Sequence, residues 1–156
     1  MKDRNKIFVE QGPIVRKAPA ILYTKKSDMC VITMIYDPDE KIAGMLHSPN
    51  KETTLNLLPK LIEEMKRVGA KNMISLIAGG KYFAWWSKGP NNFRITGKIL
   101  RKHEDIHAFK MGNLRGVEIQ SISVDASTGK VTYISKKSRK SDIGFREGTF
   151  KLNRHE

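Results

Sequence analysis

Cys30 and His47 are the two side chains of this sequence whose types and spacing suit covalent acyl chemistry. A thiolate attacks carbonyl carbon readily, and a nearby imidazole can take the thiol proton and, once charged, stabilise the thiolate. Cys30 is the only cysteine of the chain, which removes an internal disulfide from consideration. It opens an apolar run, Cys30-Val31-Ile32-Thr33-Met34-Ile35-Tyr36, and Asp37-Pro38-Asp39-Glu40 then offers a turn with proline at its second position. If those four residues are the loop of a hairpin, Tyr36 pairs with Lys41, and the same register sets Cys30 directly opposite His47. Directly opposed side chains share a face, with Cβ atoms about 4.5–5.5 Å apart. The residues alone leave a second reading open, in which Cys30 is a small buried hydrophobe and His47 a satisfied histidine at a strand end.

The elements that must position this pair are legible on either side of it. Short apolar pieces at 7–9, 14–15 and 20–24, broken by Gly12-Pro13 and Pro19, predict one or two strands before a hairpin at about 29–47. Ser48-Pro49-Asn50 then reads as a turn and helix cap. Leu55, Leu58, Leu61, Ile62, Met65 and Val68 follow at helical spacing, with Pro59 early in the helix or kinking it and Gly69 as a left-handed cap. The stretch from Asn72 to Ala78 predicts a buried strand that ends at Gly79-Gly80. A loop from Lys81 to Asn92 carries Tyr82, Phe83, Trp85 and Trp86, an aromatic cluster that plugs the core or lines a cleft. Phe93 to about Asp105 suits a second helix despite Gly97, and Gly116 to Val124 with Lys130 to Ile134 reads as a closing hairpin. Periodicity alone therefore gives a mixed α and β domain.

Composition bounds the partners. The 156 residues include 29 basic and 16 acidic side chains, a net charge of +13 whose field favours anionic surfaces. No apolar stretch approaches the roughly 18 residues of a membrane span, and the short Ile7-Phe8-Val9 piece is too small for a secretory core, so a cytoplasmic compartment is expected. Basic residues crowd the C-terminal part, with Lys136-Lys137-Ser138-Arg139-Lys140 and then Arg146, Lys151 and Arg154. That density predicts a domain over 1–135 and a partly ordered basic extension over 136–156.

From about Ala18 to Ile134 the chain resembles the chemoreceptor glutamine deamidases of the CheD family. Thr24 stands six positions before Cys30 and His47 seventeen after it, as in that family's Thr, Cys and His pattern. Leu61 to Ala70, Ile77-Ala78-Gly79-Gly80 and Met111-Gly112-Asn113-Leu114-Arg115-Gly116 line up in order with further family segments. The family's Gly-Ser before the cysteine is replaced by Asp28-Met29, which places a carboxylate where like-charge repulsion raises a thiol pKa. The resemblance implies a layered αββ sandwich of mixed or antiparallel sheet with flanking helices. It also implies Cys30 as nucleophile, His47 as acid and base, Thr24 as the residue orienting the imidazole, no cofactor and no metal. A protein substrate with an acidic or Gln/Glu-rich surface, on a chemoreceptor or on a host protein, fits both the resemblance and the charge. An inactive adaptor of the same fold is a further alternative.

Two other chemistries are visible. His103-Glu104-Asp105-Ile106-His107 matches the H-E-x-x-H pattern of zinc proteases, although Arg101-Lys102 before it and Asp105 within it suit a solvated helix end, with His107 beginning a strand. Basic residues with Tyr82, Trp85, Trp86 and Phe93 would suit stacking of single-stranded nucleic acid, but the aromatic cluster and the basic tail are far apart in sequence.

Overall fold

Runs rich in β-branched residues, separated by proline and glycine breaks, form strands in two five-stranded sheets. A computed structural model describes residues 5–27, 29–81, 89–139 and 142–153. One sheet contains, in spatial order, β1 (Lys6–Phe8), β3 (Ile21–Ser27), β8 (Glu118–Asp125), β9 (Lys130–Arg139) and β10 (Asp142–Lys151). The other contains β2 (Ile14–Lys17), β5 (Ile42–Ser48), β4 (Val31–Asp37), β6 (Met73–Gly79) and β7 (Ile106–Ala108). Each sheet is mixed, with one parallel pair, β1 with β3 and β6 with β7, among antiparallel neighbours.

Every residue of β4 and β5 is buried, because their sheet is covered on both sides. A strand buried on both faces has no reason to alternate, which is why the sequence there runs continuously apolar. Ile32, Met34, Tyr36, Ala43 and Met45 point into the seam between the sheets, against Leu22, Ile122 and Val124. Ile35, Ile42 and Leu46 point the other way, onto Leu58, Leu61, Ile62 and Met65 of α1 (Lys51–Val68). Each such large aliphatic side chain contributes roughly 1.5–3 kcal/mol on burial. Leu100 of α2 (Gly89–Arg101) joins the same layer. The molecule is thus an α/β layered sandwich of helices, sheet and sheet, as the resemblance implied.

The caps of α1 behave as expected. The Asn50 side chain accepts from the Thr53 amide at 2.8 Å, and Gly69 ends α1 with φ of 115° while its amide reaches Lys66 O at 3.1 Å. α2 spans Gly89–Arg101 rather than Phe93 to Asp105, since Pro90 is tolerated in a first helical turn whose N–H groups need no helical partner.

The hairpin register differs by two from the expectation. Tyr36 pairs with Ala43, Asp37 with Ile42, and Ile32, not Cys30, stands opposite His47. The cause is Asp37, which stays in the strand and turns its Oδ1 onto the amides of Asp39 at 2.9 Å and Glu40 at 3.1 Å. The loop becomes Pro38 to Lys41, with Lys41 in the left-handed region at φ of 53°. A shift of two preserves side-chain parity, so Cys30 and His47 keep one face as diagonal rather than direct neighbours.

The segment from 136 onward, expected to leave the domain as an extension, carries strand pairing. β10 pairs along its whole length with β9, from Asp142 opposite Arg139 to Lys151 opposite Lys130. Phe150 stacks on Phe109 with ring centroids 5.3 Å apart, and Leu152 is 1% exposed. The charge density that suggested a solvated tail suits an outermost strand, where charged side chains discourage pairing with other chains.

Candidate active site

His47 lies near the end of β5 on the seam side, and Thr24 reaches it from β3 in the opposite sheet. Thr24 Oγ1 lies 2.7 Å from His47 Nδ1 in a buried hydrogen bond, so the ring orientation depends on both sheets. Burial pushes the His47 pKa below the usual imidazole range, which keeps the ring neutral at pH 7. A neutral imidazole hydrogen-bonded at Nδ1 keeps Nε2 for proton transfer.

The backbone around His47 is fixed from two directions. Its amide donates to Gln11 O at 2.8 Å. Gly12 follows at φ of 90°, and a Cβ built there would meet Met45 O at 2.7 Å, so this close approach requires glycine. On the helical side, Ser48 Oγ lies 2.5 Å from Thr54 Oγ1, Thr54 Oγ1 donates to Asn92 Oδ1 at 2.5 Å, and Asn92 Nδ2 donates back to Ser48 O at 3.2 Å. Thr54 and Asn92 are fully buried, and this network ties the end of β5 to both helices. Neither Thr54 nor Asn92 stands out in the sequence, because their role depends on contacts 38 residues apart along the chain. Gln11 was equally hidden, since it acts through its backbone carbonyl.

Cys30 is half-buried just ahead of β4, and its carbonyl accepts from the Gly80 amide at 3.0 Å, which continues the β4 and β6 ladder to the Gly-Gly turn. Cys30 and His47 line one open cleft of about 750 Å³ together with Phe8, Glu10, Gln11, Gly12, Ile14 and Pro49. Cys30 and His47, singled out by type and spacing, and Thr24, named from the resemblance, lie at one end of the sheet seam: two on the wall of the cleft, with Thr24 behind the imidazole.

The other sequence candidates separate. α2 ends at Arg101, His103 follows it and His107 lies on β7, so the H-E-x-x-H segment is not one helix face. Among the described residues, no group of three His, Cys, Asp or Glu side chains is arranged to hold a metal ion. Asp28 and the aromatic residues Tyr82, Phe83, Trp85 and Trp86 lie outside the described residues. Among the described residues no helix is long and apolar enough to cross a membrane.

No family model matches the chain. Over 143 residues it is 27% identical to a purine nucleoside phosphorylase of Rickettsia prowazekii and 28% identical to one of Rickettsia conorii, in each case over 81% of this chain and 59% of the relative. The chain thus spans less than two thirds of those relatives. Over 113 residues it is 34% identical to a probable chemoreceptor glutamine deamidase CheD of Caldanaerobacter subterraneus subsp. tengcongensis, across 56% of this chain and 67% of that protein. The chain belongs to the CheD-like family. Its departure from the family pattern at Asp28-Met29 adjoins the nucleophile candidate. In this CheD-like protein the described part of the candidate site is a buried Thr–His pair whose histidine shares a cleft with a half-buried thiol.

Proposed function

We propose that this CheD-like protein is a cysteine-dependent protein-glutamine deamidase, with Cys30 as nucleophile, His47 as general acid and base, and Thr24 orienting the imidazole. The observation that carries this reading is the buried 2.7 Å hydrogen bond between Thr24 Oγ1 and His47 Nδ1, on a histidine that shares its cleft with the only cysteine of the chain.

In this scheme neutral His47 accepts the Cys30 proton, and the thiolate attacks the side-chain carboxamide carbon of a glutamine. The carbonyl π electrons move to oxygen, giving a tetrahedral oxyanion for which backbone N–H groups are the natural donors. The imidazolium then returns its proton to the nitrogen as the C–N bond breaks, and ammonia leaves a thioester. Water, deprotonated by the same ring, adds to the thioester, the thiolate departs, and glutamate remains. Acid–base help of this kind is worth roughly 10²- to 10⁴-fold in rate. The deamidase relative is named for chemoreceptors, and the charge of +13 favours an acidic, Gln/Glu-rich protein surface of that sort; a host protein of the same chemistry would fit equally.

The test is ammonia release from Gln-rich acidic helical proteins, chemoreceptor signalling domains first, by wild type and Cys30→Ala. Release by wild type with loss of at least about 10³-fold in Cys30→Ala is the expected result. Equal release from both proteins would end the claim.

A nucleoside-directed activity is a second reading, favoured by the longer alignment to the two rickettsial relatives. Phosphate-dependent release of hypoxanthine from inosine distinguishes it, because deamidation of a protein needs no phosphate.

A further inference from the structure

A second cavity, of about 250 Å³, lies on the far side of β6 from the sheet seam and shares no residue with the Cys30 cleft. It is a groove between α2, strand β6 with the edge strand β7 beside it, and the segment that follows β7. Its walls include Ile77, Phe93, Leu100, Ile106 and Phe109, and its rim carries the exposed cations Arg101, Lys110 and Arg115. None of these three cations forms an ion pair among the described residues, and Arg115 lies over the Phe93 ring at 5.1 Å.

Gly97 makes this groove more than a packing gap. Glycine is the least favourable ordinary residue inside a helix, yet Gly97 sits within α2. A Cβ built there would meet nothing nearer than Arg101 Nη1 at 3.5 Å and Ile77 Cδ1 at 3.8 Å, which are ordinary contacts. Neither packing nor backbone conformation demands glycine here. What its missing side chain does is leave the groove open beside Phe93, Leu100 and Arg101, which share the same stripe of the helix at spacings of four, three and four residues.

We infer that the groove docks an acidic segment of a partner protein, anchored by one or two apolar side chains between α2 and β6, with carboxylates on Arg101, Lys110 and Arg115. The lining favours this occupant, because an apolar floor ringed by three cations matches the apolar anchors and flanking carboxylates of an acidic amphipathic segment, as in helix-in-groove recognition. The three rim cations and the charge of +13 fix the sign of its flanks. The docking does not rest on the chemistry of Cys30.

The probe is a fluorescein-labelled helical peptide of about 14 residues, with leucines at i and i+4, glutamates flanking them and alanine elsewhere, read by anisotropy against the full chain. Saturable binding is expected for wild type and equally for Cys30→Ala, which separates docking from the deamidase reading. Gly97→Leu should fill the groove and weaken binding by at least about tenfold while its melting temperature rises by roughly 2–4 °C. Arg101→Glu, at an exposed position that leaves folding intact, should weaken it by a similar factor. No saturable binding, equal binding of a peptide with lysines for glutamates, or full binding by folded Gly97→Leu overturns the proposal. Binding of decanoate but not the peptide, or self-association that Gly97→Leu abolishes, overturns it in favour of a free amphiphile or a second copy of this chain.

Discussion

His47 receives its orientation from a hydroxyl rather than a carboxylate, and this sets what its removal should do. A threonine hydroxyl fixes the ring without adding a negative charge to stabilise an imidazolium, so Thr24→Val should lower the rate of ammonia release by roughly 10- to 100-fold, with Thr24→Ser recovering most of it. Loss without recovery by serine would point to a purely structural threonine. Because burial lowers the His47 pKa, the folded protein takes up its proton less readily than the unfolded chain. The stability this contributes is fully present above the ordinary histidine value of 6.5 and is lost as pH falls through the depressed folded value. His47→Gln should flatten that part of the stability profile, measured by urea unfolding from pH 7 to pH 5. Asp37 has the opposite charge type and a similar sign. Burial pushes its carboxyl up, but four backbone amides, from Asp39, Glu40, Lys71 and Asn72, outweigh this and hold it below the ordinary value of 3.8. Its stabilisation is present above that value and is lost as pH falls through the lowered one. Asp37→Ala should cost about 2–4 kcal/mol at pH 7 in the same assay, because partly buried amides lose their acceptor.

At the scale of elements, the hairpin shows what sequence can and cannot deliver. The β-branched run and the Asp-Pro turn announced it, and their parity was enough to place Cys30 and His47 on one face. The register was not readable, because Asp37 can cap the turn from inside the strand or belong to the loop, and only its amide partners on Lys71 and Asn72, beyond α1, decide between them. The caps and the buried stripe of α1 were readable, since cap residues, spacing and a glycine stop are local signals, whereas Pro59, expected early in the helix or at a kink, stands ninth of its 18 residues and Leu55 faces solvent. The polar network from Ser48 to Thr54 and Asn92 left no such signal, as each member looks like an ordinary helix or turn residue. Gly44 belongs to the same class: a Cβ there would fall 2.7 Å from Leu61 Cδ1 and 2.8 Å from Met65 Sδ, so α1 lies directly on the bare backbone of β5. Gly44→Val should therefore destabilise by about 1–3 kcal/mol, a loss visible as a lowered urea midpoint.

For the whole molecule, the decisive difference from the sequence reading lies in the last hairpin. Composition dominated that reading, and composition cannot distinguish a charged tail from a charged outer strand whose other face carries Phe150. If β10 and Leu152 complete the sandwich, truncation before Lys136 should abolish cooperative thermal unfolding, whereas a detached extension could be removed with no change in melting temperature. The milder Leu152→Ala should cost about 2–4 kcal/mol through the cavity it leaves. Both are checked by circular dichroism melts. The two sheets are also joined across their seam at opposite ends, by Thr24 to His47 at one and by Tyr36 OH donating to Ala126 O at 3.0 Å at the other. Two fasteners so placed resist shear: sliding one sheet over the other by a residue pair, roughly 7 Å, would break both at once.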